Sequence, residues 1–517
     1  MVKVVYLPLD ERPVNFIFPQ QLAAITDLDM IVPDILFFGR KKQPADFNRM
    51  KEWLFHETKD AEYLIISIDM LVFGGIVPSR LHHLSKEECM KRLNVLDEIK
   101  KANPYLKIYG FNLIMRTPAY SSSEEEPDYY QLHGREIFRY GWLTDKMERE
   151  ELDAEETQEL EMIKNEKVPA DILADFLGRR EVNASINHKV IDLVKEDTLD
   201  LLIIPLDDNS KYGYTPKEQR KLIYRVEELN LFDRVSIYPG ADEIGCTIFA
   251  KVFCEVKDYI PRIFVRYSST KGPTIIPKYE DRSLNESIKS HITASGGILI
   301  DHSSDSDVIL MVNSPAVGEN EAAEQGSYKD RHSTYFSEVH LQEFVRVMEF
   351  YLKQQKFVAL ADVATCNGSD TALMKSISKK GLLKEISCYA GWNTSGNTIG
   401  TVNAHAMIAS YYDQMDDREN LASKTFYYTR LVEDWGYQAL VRQNVVNEDL
   451  PNFGATYFNL GNHQKEIQTI IENKLHDFVE KHLPNEAIEL KHVVLPWDRM
   501  FELGFDLTIK NTTISSK

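Results

Sequence analysis

The stretch VSIYPGADEIG, residues 235–245, decides how this chain is read. An apolar run long enough for one buried strand stops at Pro239 and Gly240, and the adjacent acids Asp242 and Glu243 follow at once. Just upstream, LDLLIIPLDDNSKYG (residues 199–213) repeats the arrangement with Asp207 and Asp208. Strands buried on both faces of a parallel sheet read as continuous apolar runs. Ligands of such sheets bind just beyond the strands' carboxyl ends. Carboxylates side by side at such a place raise one another's pKa and are costly unless used. The two stretches predict successive parallel strands with a site at their ends.

The same pattern extends in both directions. Upstream strands are expected at Val2–Leu9, followed by Asp10, Glu11, Arg12 and Pro13, and at Met30–Phe38. Two more are expected in EYLIISIDMLVFGG, which carries Asp69 and leads to Gly74, Gly75 and Arg80, and in LKIYGFNLIMRTP, which leaves Asn112 and Arg116 near its end. Pro13 and the acids before it also suit a turn into a helix. Downstream, RIFVRYSS, GGILID, DVILMVNSP, KFVALADVATCNGSD and ISCYAGWNTSGNTIG place Arg266, Asn313, Asp362, Asn367 and Asn393 at strand ends. Residues 121–194 carry no strand signal, and the acidic run 148–167 reads as a solvated helix face. Asn183 and Asn187 share one helical face. From there Arg179 and Arg180 reach either the acids or solvent.

The fold class is therefore α/β. Two doubly wound, Rossmann-like parallel-sheet modules are predicted, at 1–255 (with a helical insertion at about 121–194) and at 256–415. A mainly helical region, 416–517, closes with a strand in HVVLPWDRMFELGF. The alternative is a (β/α)8-like barrel with an α/β extension. A chain of 517 residues exceeds one comfortable core.

The formal net charge of -20 argues against nucleic acid and anionic membrane as partners. It leaves a small-molecule carbohydrate substrate open and fixes no oligomeric state. The five cysteines are scattered without C-x-x-C spacing, which fits free thiols in a reducing compartment. No secretory leader is recognisable, and no apolar run approaches the ~20 residues that span a bilayer. A cytoplasmic protein is expected.

Adjacent residues leaving a strand point in different directions, so one acid of a pair can orient a substrate group while the other transfers a proton. That division needs the two pKa values pushed apart. Asp242–Glu243 also suits a helix N-cap, and Asp207–Asp208 an Asx-turn. Asn209, Ser210, Tyr212 and Tyr214 add hydrogen-bonding groups beside the latter pair. In YAGWNTSGNTIG (389–400), Trp392 offers a face on which a sugar stacks, and Asn393 and Asn397 reach hydroxyls. The glycine-bearing turn also suits phosphate at a helix start, or a tight helix start with a core Trp. Nucleotide-binding glycine motifs, H-E-x-x-H and G-x-S-x-G are absent, so no cofactor is implied. Asp10, Asp69, Asp207, Asp242 and Asp362 are candidate oxygen ligands for a hard cation.

Six motifs in order, PLDERPVN, SIDMLVFGGIVPSR, PLDDNSKYG, YPGADEIG, YAGWNTSGNTIG and LPWDRMFELGF, resemble a large bacterial family catalogued as domain of unknown function 4127. The resemblance spans nearly the whole chain. PGADE is also similar to the Gly-Gly-Asp-Glu signature of substrate-assisted β-N-acetylhexosaminidases, and PLDDN to the Asp-Asp pair of a related group. In those enzymes the first acid orients the 2-acetamido group, which attacks the anomeric carbon, and the second protonates the leaving oxygen. The resemblance implies these roles for Asp242 and Glu243, or for Asp207 and Asp208. Those enzymes carry their pair after the fourth strand of a barrel, whereas here the pairs follow the fifth and sixth. The implied activity is a retaining glycoside hydrolase for N-acetylated amino sugars, an exception to the two-carboxylate scheme. Asp10, Arg12, Asp69, Arg116, Asn209, Tyr212, Trp392, Asn393 and Asn397 would bind substrate. The alternatives are a Mg- or Mn-dependent hydrolase or phosphotransfer enzyme, and a non-catalytic sugar or metabolite sensor closing on its ligand.

Overall fold

The apolar runs become short parallel strands. The computed structural model describes residues 1–318, 324–326, 329–415, 420–484 and 487–509. The chain divides into two compact units, one of residues 1–11, 27–248 and 279–281, the other of residues 12–26, 249–278 and 282 onward.

In the first unit, β1 (Lys3–Leu7), β2 (Asp29–Ile31), β3 (Tyr63–Ser67), β4 (Lys107–Phe111), β5 (Leu201–Leu206) and β6 (Val235–Pro239) form one sheet. Its order is β2-β1-β3-β4-β5-β6 and every pairing is parallel. Leu64, Ile65 and Ile66 have no exposed surface, and burying such a side chain is worth about 1.5–3 kcal/mol.

In the second unit, β7 (Arg262–Tyr267), β8 (Ile298–Leu299), β9 (Val308–Asn313), β10 (Val358–Asp362) and β11 (Cys388–Ala390) pair in parallel in the order β11-β10-β9-β7-β8. Counted from its own first strand, each sheet reads 2-1-3-4-5, with β6 added to the first. These are doubly wound sheets whose strand order reverses beside the first strand, where ligands of such folds bind. The barrel alternative fails because the strands form two open sheets of six and five strands.

Several expected strands are shorter than the apolar runs that suggested them. The run Met30–Phe38 keeps only β2, because Pro33 and Asp34 break it and Asp34 accepts from the amide of Leu36 at 2.9 Å. EYLIISIDMLVFGG is not one strand. It stops at Ser67, whose hydroxyl accepts from the amide of Met70 and caps the helix Ile68–Phe73. All six residues of that helix are buried, so it shows no polar face from which periodicity could identify it. Gly74, at φ +86°, ends it.

Residues 121–194 hold the helices Tyr130–Met147, Ala154–Met162 and Ala170–Lys195, which share a small core including Ile137, Leu143, Leu160 and Phe176. After 420 the chain is mainly helical to His482, broken by a turn at 454–460, and then forms an antiparallel hairpin, β12 (Ile488–Val494) with β13 (Gly504–Ile509). LPWDRMFELGF, expected as part of one closing strand, is mostly the connection of that hairpin. Pro496 and the left-handed residues Trp497 and Asp498 (φ +57° and +55°) break the extended backbone there. No helix among the described residues is long and apolar enough to cross a membrane.

Candidate active site at the strand ends of the first unit

The two acid pairs leave adjacent strands at one level. Leu206 of β5 pairs with Pro239 of β6, and the amide of Gly240 donates to the carbonyl of Leu206 at 3.2 Å. Asp207 and Asp208 thus exit one strand away from Gly240, Asp242 and Glu243. Their environments differ. The Asp207 and Asp208 side chains are 20% and 16% exposed, whereas Asp242 is 7% exposed and Glu243 not at all. Glu243 folds back over Gly240 (φ +122°), where an added Cβ would lie 2.6 Å from Glu243 Oε1. Glycine is required there both for that close approach and for the backbone conformation.

Around Asp207 and Asp208, two guanidinium groups meet four carboxylates. Arg80 Nη2 binds Asp207 Oδ2 at 2.8 Å, and its Nη1 lies 3.0 Å from Glu125 Oε2 and 3.4 Å from Glu126 Oε1. Arg116 Nε donates to Glu126 Oε1 at 2.9 Å, Nη2 to Glu125 Oε2 at 3.1 Å and Nη1 to Asp208 Oδ2 at 3.1 Å. Four potential negative charges against two fixed positive ones, partly withdrawn from water, favour retention of a proton. Burial pushes Asp208 up to about 7; Arg116 opposes the shift and Asp207 adds to it. Burial raises Glu126 as well, against the pull of Arg80 and Arg116. A carboxylic acid that still holds its proton near neutrality, beside an arginine-bound carboxylate, is the equipment of a general acid.

The remaining expected residues fall in varied surroundings. Asp69 is buried and accepts from Asn112 Nδ2 at 3.1 Å and from the amide of Leu113 at 2.9 Å, so it secures the exit of β4. Burial nonetheless raises its carboxyl to about 6. Asn209 is tied through its amide to the carbonyl of Tyr279 at 3.0 Å and through Nδ2 to Gln219 at 3.4 Å. Tyr212 is buried, donates to Glu150 and packs edge-on against Trp142 at 5.1 Å, which makes it a clasp on the helical insertion. Asp10 is buried just past β1.

Asn183 and Asn187 do share a face. Asn183 Nδ2 donates to the carbonyl of Ser79 at 2.8 Å, and Asn187 Nδ2 to Asn112 Oδ1 at 2.6 Å. Arg179 and Arg180 reach neither Asp207 and Asp208 nor solvent. Both are buried, held by Asp175 and Glu218 respectively.

Arg12, Trp392, Asn393 and Asn397 belong to the second unit. Arg12 is buried 3.6 Å from Glu502 and lies over the Trp497 ring at 4.8 Å. Trp392 is 3% exposed and meets Phe501 edge-on at 5.6 Å, a packed position and not an open stacking platform. Asn393 is half-buried, and the amide of Asn397 donates to Thr394 Oγ1, which caps the helix Ser395–Gln414. Among the described residues no three His, Cys, Asp or Glu side chains converge as a set of metal ligands.

Sequence reasoning missed Glu125 and Glu126 and gave Arg80 no role. Glu126 is 1% exposed, although it stands in the run SSSEEEPD that reads as surface. Residues 4–506 match the family described as protein of unknown function (DUF4127), and the chain belongs to that family. No curated protein matches it.

Proposed function

For this member of a family of unknown function, we propose a glycoside hydrolase acting on N-acetylated amino sugars, with Asp207 and Asp208 as the reacting pair. One observation carries the reading: the Asp208 carboxyl, pushed up by burial, sits at a partly exposed strand end directly beside Asp207, which is bound to Arg80. In this scheme Asp207 accepts the N–H of the substrate's acetamido group, whose carbonyl oxygen attacks the anomeric carbon. Asp208 gives its proton to the departing oxygen, and the carboxylate so formed is met by Arg116 at 3.1 Å. Asp208 then takes a proton from the water that opens the cyclic intermediate, so configuration is retained. The exposure difference favours this pair over Asp242–Glu243, because a proton donor must reach its substrate.

The test is hydrolysis of chromogenic N-acetylgalactosaminides and N-acetylglucosaminides. Turnover is expected, with Asp208→Asn lowering kcat by about 100-fold or more and Glu243→Gln lowering it less. Full activity in Asp208→Asn would remove Asp208 as the donor. Absence of turnover on every N-acetylhexosaminide would remove the substrate class.

A further inference from the structure

The second unit contains a cavity of about 420 Å³, a size that takes a small metabolite. It opens at the amino-terminal edge of the sheet, where Lys356 and Phe357 lead into β10 and Lys384 to Ser387 lead into β11. The carboxyl ends of those strands lie at the sheet's other edge. The remaining wall includes Asn420, Ser423 and Lys424, at the start of the helix Leu421–Arg430. Asn420 caps that helix by accepting from the amide of Ser423 at 3.1 Å.

Three lysines, Lys356, Lys384 and Lys424, therefore line one cavity in a chain of formal net charge -20. None is ion-paired to an acid among the described residues, and Lys356 Nζ bonds only the carbonyl of Ser304, at 3.2 Å. Elsewhere on this chain lysines commonly find an acid, as Lys353 and Lys380 do with Glu349. Ammonium groups with no acid partner among the described residues, set around a concavity beside the positive end of a helix, suit an anion. The same wall carries Glu385, Asp413 and Ser387, which accept hydrogen bonds from hydroxyl groups.

We propose that this cavity binds a sugar phosphate, with the phosphoryl group on Lys384 and Lys424 and the sugar hydroxyls on Glu385, Asp413 and Ser387. The proposal does not depend on the hydrolase reading, which concerns acids of the first unit.

Isothermal titration of the full chain tests it, with glucose 6-phosphate, glucosamine 6-phosphate, N-acetylglucosamine 6-phosphate, unphosphorylated N-acetylglucosamine and inorganic phosphate as separate arms. At least one hexose phosphate is expected to bind saturably and at least tenfold more tightly than inorganic phosphate. The double variant Lys384→Gln/Lys424→Gln is expected to weaken it about tenfold or more, since hydrogen bonds to charged groups are lost. Both lysines are exposed, so the variant should keep the parent's unfolding midpoint without ligand. No binding by any hexose phosphate would overturn the proposal. So would inorganic phosphate binding equally well, or affinity unchanged in the double variant.

Discussion

At the scale of single residues, the reactivity assigned to Asp208 rests on burial winning over a favourable ion pair. Arg116 lies 3.1 Å away and favours the anion, yet withdrawal from water and the neighbouring Asp207 keep the carboxyl protonated to about 7. A donor must be protonated to act, so kcat/KM for N-acetylhexosaminides is expected to be flat below about pH 6 on this limb. It should fall tenfold per pH unit above about 7. Measured pH–rate profiles would show that basic limb in the parent chain, and a limb that stays in place in the residual activity of Asp208→Asn would contradict the assignment. Gly240 is the second residue whose chemistry is dictated by position. Alanine there must adopt φ +122° and place its Cβ 2.6 Å from Glu243 Oε1. Gly240→Ala is expected to cost about 1–3 kcal/mol of stability, read as a lower urea midpoint.

At the scale of elements, the segment leaving β4 and the segment 124–126 are fastened together by Arg116, and that fastening can be broken selectively. Arg116→Ala leaves Glu126 buried without its closest cation and removes the guanidinium bonded to Asp208. A buried pair broken on one side costs about 3–5 kcal/mol. Urea unfolding should report that loss for alanine, and Arg116→Lys should recover only part, because one ammonium cannot meet Glu125, Glu126 and Asp208 together. Equal stability of the alanine variant and the parent would show that the network bears no load.

How far such elements can be read from sequence depends on where their partners lie. The strands β5 and β6 were legible because apolar runs of strand length end at paired acids. The helix Ile68–Phe73 was not, since a segment buried on every side has no amphipathic period. The acid pairs and Arg116 were visible as candidates, but the joining of Arg80 and Glu125–Glu126 to Asp207 and Asp208 was not. Arg80 stands 45 residues from Glu125 and 127 from Asp207, so no local pattern separates these arginine-bound glutamates from solvated ones. Trp392 was legible in two ways, as a stacking face in a polar, glycine-rich loop or as a core Trp at a tight helix start, and the ring packed against Phe501 fits the second.

At the scale of the whole molecule, both units hold carboxyl groups whose pKa burial pushes towards neutrality. Asp208 of the first unit and Asp362 and Asp434 of the second are each raised to about 7, chiefly by burial, and Asp69 to about 6. An acid whose folded pKa exceeds its unfolded value near 4 gives stability that is complete below that value and is lost as pH rises through the folded one. Histidines wholly or partly withdrawn from water act in the opposite sense. His405 is lowered to about 3 by burial, and His82, His188 and His482 are lowered as well, so they withdraw stability as pH falls below about 6.5. Between about pH 4 and 6.5 the two sets offset one another. Above 6.5 the histidines are neutral in both states and only the carboxyls still titrate. Stability is therefore expected to fall between pH 6.5 and 8, by on the order of 2 kcal/mol when summed over the three groups near 7. Because two units need not unfold together, the measurement should follow each transition of a urea titration at both pH values. Asp208→Asn should flatten the decline only in the transition of the first unit. A profile that rises from pH 6.5 to 8 would mean that these acids are ionised in the folded chain, and the proton assigned to Asp208 would go with them.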